Sequence, residues 1–77
     1  MNWFRTLRHP IALRDGREIG TLAAAHILMR SLPEYERRQA VWRDVGELLA
    51  EAAVDESWIP DFEAELSLVL KAEGHIN

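Results

Sequence analysis

The side chains here that could do chemistry are three histidines, three serines and a row of carboxylates. His9, His26 and His75 stand far apart and the sequence has no cysteine, so no zinc-ligand spacing is present. His26 interrupts the apolar run Leu22 to Met29, where a core or boundary histidine is expected rather than a ligand or a general base. Asp44, Glu47, Glu51 and Asp55 step by three, four and four, which lines four carboxylates along one helix face. Hard cations favour converging oxygens, but carboxylates on one straight helix point outward, so a solvated face is expected. Asp61 and Glu65 read the same way. Neither Ser31, Ser57 nor Ser67 sits in the glycine-flanked strand-to-helix turn of a nucleophile elbow, and no glycine-rich phosphate loop occurs. No catalytic residue, metal ligand or cofactor site is expected, and the chain reads as a non-enzyme. A pocket holding a histidine against a carboxylate is the arrangement that would reopen that reading.

The remaining candidates are for binding. Arg5, Arg8, Arg14 and Arg17 lie near Trp3 and Phe4, a basic and aromatic group that could meet an acidic partner, or contact phosphates and stack on bases. The net charge of −4 is unevenly spread. Up to residue 43 eight arginines oppose Asp15, Glu18, Glu34 and Glu36, whereas from Asp44 onward Lys71 stands alone against nine acids. A pI near 5.2 argues against a nucleic-acid domain, which is usually strongly basic. The leading expectation is therefore a small protein-interaction module, compatible with a regulatory role. The alternative is a nucleic-acid binder using the arginine-rich N-terminal half.

The elements that must carry these residues follow from pattern. Asp15-Gly16 between Pro10–Arg14 and Arg17–Gly20 signals a β-hairpin, with Ile11, Leu13 and Ile19 facing inward. Met1 to Arg8 fits neither period and reads as an irregular lead-in whose aromatics fold back on the core. Thr21 is placed to cap a helix over residues 22–31, which Leu32-Pro33 ends. A long central helix is expected from Pro33 or Glu34 to Ala53. Its stripe is Val41, Trp42, Val45, Leu48, Leu49 and Ala52. Gly46 in its middle is either tolerated or marks a close approach. Pro60 opens the last helix, Phe62, Leu66, Val69 and Leu70 form its stripe, and Gly74 stops it. The expected fold is α+β over one domain of 77 residues: an N-terminal two-stranded β-hairpin followed by three helices, the last two an antiparallel pair. The predicted core is Ile11, Leu13, Ile19, Leu28, Val41, Trp42, Val45, Leu48, Leu49, Phe62, Leu66, Val69 and Leu70.

A chain that is 48% hydrophobic and 29% charged belongs to the folded class. Its apolar windows are too short to span a bilayer and no signal-peptide layout opens it, so a cytoplasmic location and no membrane partner are expected. A domain this small buries only about 60% of its unfolded surface. A two-stranded ribbon also has open edges, and the two charge segments attract. A homodimer is expected on those grounds, or another protein partner; no small-molecule substrate is indicated.

The layout resembles the bacterial family of short proteins classed as domain of unknown function 982. The matching features are Trp3 near the start, Pro10-Ile11 leading into a strand, Gly16-Arg17 at the hairpin and Ala23 to Ala25 in a first helix. Pro33 before the long helix and an ending of Ala72-Glu73-Gly74 and Ile76 complete them. The departure is Leu32, where that family often has tryptophan before the proline. The resemblance implies a compact α+β domain, with no established activity and no functional residue to carry over.

Overall fold

A computed structural model describes residues 2–76. Strand β1, Thr6–Ala12, pairs antiparallel with β2, Glu18–Thr21, through Ile11 opposite Ile19 and Ala12 opposite Glu18. Five residues, 13–17, join the two strands. Leu13 N–H donates to the Arg17 carbonyl at 2.8 Å, Gly16 N–H donates to the Leu13 carbonyl at 3.1 Å, and Gly16 takes φ 94°. That left-handed conformation is the one Asp-Gly foreshadows. The Asp15 carboxylate locks the loop by accepting from Arg17 N–H at 3.0 Å and Arg17 Nε at 2.7 Å. These bonds hold its pKa below the usual carboxylate value.

β1 begins earlier than its polar first half suggests. The register shifts between Thr6 and Ile11, and this irregular stretch contains Pro10, which cannot donate to a ladder. Leu7 is the buried residue of that stretch.

Thr21 leads directly into α1, Leu22–Ser31, and the first three amides of the helix are all satisfied. Leu22 N–H donates to the Arg5 carbonyl, Ala23 N–H to the Trp3 carbonyl and Ala24 N–H to Thr21 Oγ1. The N-terminal segment is thus fastened to α1 by the helix's own unpaired donors. At its other end Asn2 N–H reaches the Ala53 carbonyl at 2.8 Å.

The expected long central helix is two helices. A short α2, Glu34–Arg37, is separated from α3, Ala40–Val54, by a break at which Gln39 is extended. α3 then runs in a register that buries Trp42, Val45, Leu49, Ala52 and Ala53. Leu48 is only partly buried and Val41 is 40% exposed, so both leave the predicted central core. Leu7, Leu22, Ala25, Leu32, Ala52, Ala53 and Ile59 belong to the core beyond the predicted set. A 3₁₀ turn, Glu56–Trp58, capped by Asp55, leads into α4, Ile59–Ala72, with Pro60 in its first turn. α4 packs on α3 and on β1, and α1 packs on β2 and α3, so one apolar cluster lies under the hairpin. Trp3 packs against that cluster, whereas Phe4 is 81% exposed and does not fold back.

The chain leaves α4 through Gly74 at φ 82°. His75 N–H bonds to the Leu70 carbonyl and Gly74 N–H to that of Lys71, the paired pattern of a Schellman end. This turn carries His75 back over α2, where Nε2 lies 3.3 Å from Glu36 Oε1, and its carbonyl accepts Arg14 N–H at 2.9 Å.

Candidate functional site

The five residues singled out for partner binding do not converge. Arg5 lies within 3.5 Å of both Glu56 Oε2 and the Val54 carbonyl, which ties the N-terminal segment to the end of α3. Arg14 reaches toward the Gly74 carbonyl and Arg17 is held by Asp15, both at the hairpin tip. Arg8 is exposed on β1, beside His9. Trp3 is brought to a different surface, against α1, where its ring lies 5.4 Å from that of His26.

That surface contains one of several concavities of similar size among the described residues, a groove of about 330 Å³. Trp3 forms one wall. α1 contributes His26, Met29 and Arg30, residues at helical spacing, and Leu32 follows just beyond its end. α3 contributes Trp42, Gly46 and Leu49, which share one side of a helix at steps of four and three. Arg37, in the last turn of α2, also lines the groove. The break between α2 and α3 therefore has a consequence for the site: Arg37 and Trp42 meet the groove from separate helices.

The lining is two tryptophans, a methionine and two leucines, and each of its ionisable side chains is basic. Among the described residues neither Arg30 nor Arg37 makes an ion pair, in contrast to Arg5, Arg17 and Arg38. Trp42 is 3% exposed and its Nε1–H finds no acceptor among the described residues. Gly46 opens the floor. A methyl group added there would meet Met29 Cε at 3.6 Å, an ordinary contact, so space rather than backbone crowding surrounds it.

Two histidine–carboxylate pairs lie elsewhere, and sequence reasoning missed both. Glu63 on α4 is buried; its Oε1 accepts His9 N–H at 3.1 Å and its Oε2 lies 3.6 Å from His9 Nδ1. The carboxylate thus serves the backbone of β1 first, and the imidazole lies beyond hydrogen-bond reach. Arg8, Pro60, Ala64 and Ser67 complete a hollow of about 370 Å³ around it. The second pair is His75 with the buried Glu36, where the His75 ring also stands edge-on to Trp42 at 6.5 Å. Each pair joins segments more than thirty residues apart, a separation at which no local pattern exists to read.

The acidic row of α3 is exposed at Asp44, Glu47, Glu51 and Asp55. Among the described residues no three histidine or carboxylate side chains are grouped to hold a metal ion, and no helix is long and apolar enough to cross a membrane. No protein-family model matches the chain, and searches of curated proteins and of solved structures return no match.

Proposed function

We propose that this chain is a small, non-enzymatic protein-interaction module that engages its partner through the groove between Trp3 and Trp42. The observation that carries this is the lining: an apolar floor with three basic side chains and no acidic one, in a chain of net charge −4. Convergent apolar surface with a few placed polar groups is the common form of a recognition site, and unpaired arginines at its rim supply orientation. A nucleic-acid partner is supported less. The N-terminal arginines are spread over the α3 end, β1 and the hairpin tip, and Arg5, Arg14 and Arg17 are engaged by the chain itself.

One observation favours an enzyme, the His9–Glu63 pair in its hollow. It supports that reading weakly, because the His9 side chain is 89% exposed and no hydrogen bond among the described residues joins Ser67 to the pair.

The test is affinity capture on the immobilised chain, with and without nuclease, beside an Arg30→Glu/Arg37→Glu double variant shown to be folded by circular dichroism. A protein retained by the native chain and lost by the variant is the expected result. Retention indifferent to the variant, or only of nuclease-sensitive material, contradicts the proposal. Sedimentation equilibrium on the same sample reports whether the partner is a second copy, and a single species at 8.9 kDa rules a stable homodimer out.

A further inference from the structure

We infer that the groove recognises a short acidic amphipathic peptide segment, with an aliphatic or aromatic anchor seated between Trp3 and Trp42 and carboxylates on Arg30 and Arg37. This rests on the interaction-module reading and names what the partner must present.

Dimensions come first. From Trp42 to Leu49 the floor runs along seven residues of α3, or about 10 Å at the α-helical rise. That length suits two turns of a helix laid into the groove, or three residues of an extended segment. The long wall is apolar and Gly46 leaves room where every other residue type would place a side chain, so an anchor of the partner has somewhere to enter.

Charge then selects the flanks. His26, Arg30 and Arg37 are the ionisable groups of the lining, and none has an acidic neighbour within the groove. A guanidinium presents a planar fork that matches a carboxylate with two parallel hydrogen bonds, and a neutral or basic segment would leave both forks unused. Arg30 and Arg37 stand in the last turns of two different helices, so carboxylates must be offered at separate points along the segment rather than by one terminal group.

A phosphate chain would also satisfy the arginines, but its bases would need aromatic faces. Trp42 is 3% exposed, which leaves Trp3, tilted 43° to His26, as the one half-open ring of the groove, too few for successive bases to stack on. The acidic row along α3 would further repel a polyanion longer than the groove. A peptide whose carboxylates are confined to a few positions avoids that repulsion.

The experiment titrates the full chain, at low salt, with an acetylated and amidated synthetic helix bearing leucine and phenylalanine on one face and glutamates beside them. Its twin carries lysines in place of the glutamates. Tryptophan fluorescence reports occupancy, since Trp3 and Trp42 line the groove and Trp58 does not. The glutamate peptide is expected to bind at least tenfold tighter than its twin and to weaken as salt is raised. The Arg30→Glu/Arg37→Glu variant is expected to reverse the preference toward the lysine peptide, which simple misfolding cannot do. Equal affinity for the two peptides, no binding of either, an unreversed preference, or displacement by single-stranded DNA at equal concentration overturns the inference. A cellular protein still captured in a groove-dependent way alongside any of those results would leave the interaction-module reading standing and refute only this choice of segment.

Discussion

Gly46→Ala separates what the fold requires from what the groove uses. Gly46 lies in the interior of α3, where glycine is less favourable than alanine by about 0.8–1.0 kcal/mol. Its surroundings set no opposing cost. The added methyl would stand 3.6 Å from Met29 Cε, inside ordinary van der Waals contact, and that neighbour is the flexible end of a side chain. The backbone there is helical, so alanine adopts it without strain. The variant is therefore expected to be more stable by about 1 kcal/mol, which for a domain of this size raises Tm by about 4–8 °C. The same methyl projects into the groove and should weaken the acidic peptide severalfold. Thermal unfolding followed by circular dichroism measures the first effect and the fluorescence titration the second. A Tm that falls would show that Gly46 is held tightly by a neighbour and that the cavity beside it is misplaced. A Tm that rises with peptide affinity unchanged would show that the peptide does not enter between α1 and α3.

Other substitutions probe the supports of the site. Trp42 is 3% exposed, so Trp42→Ala should cost about 3–5 kcal/mol. That is most of the stability of a domain this size, and a cooperative, near-native urea transition would refute the packing of α3 described above. Glu63→Ala removes the acceptor of His9 N–H and should destabilise by about 1–3 kcal/mol in chemical denaturation. It should also promote self-association in sedimentation velocity, because Glu63 occupies the His9 N–H of β1, next to Pro10 which has none, and freeing that donor opens the strand edge to another chain. An equally monomeric or equally associated variant would separate the edge from assembly. Asp55 accepts from Ser57 N–H at 3.0 Å, and this hydrogen bond lowers its pKa below 3.8 in the folded protein. Because the folded-state pKa is the depressed one, its stabilisation is present above the unfolded value and is lost as pH falls through the folded value. Asp55→Ala should lower Tm at pH 7, and the gap from the native chain should begin to narrow as pH falls below about 4; a gap independent of pH would refute the assignment.

Where local chemistry decides a feature, the sequence announces it. Thr21 caps α1, Pro60 lies in the first turn of α4, Gly74 ends it with positive φ, and Asp15-Gly16 makes the turn, each because the residue type has few other uses in that position. The antiparallel pairing of α3 with α4 followed from their two stripes. The break at Arg38–Gln39 was not legible, since no proline or glycine marks it; it accompanies the burial of Glu36 beneath His75, a contact across thirty-nine residues. Val41 and Leu48 are apolar and adjoin Trp42 and Leu49 on the same stripe, but they fall at its edge, and the buried face is centred on Trp42, Val45, Leu49 and Ala52. The groove was hidden for a reason like that of the break. Its walls come from the N-terminal segment, α1, α2 and α3, and its two free arginines, Arg30 and Arg37, look in sequence like any helix-terminal cations. Arg5, Arg8, Arg14 and Arg17 cluster in the sequence, but folding disperses them.

The most direct measurement is two-dimensional amide NMR of the isotope-labelled chain as the glutamate peptide is added. The account predicts that the largest shifts fall on Trp3, Met29, Arg30, Arg37 and Gly46, and on the Trp42 indole N–H, which has no acceptor of its own among the described residues. Shifts concentrated at Arg8, Arg14 and Arg17 with the groove unmoved would contradict it.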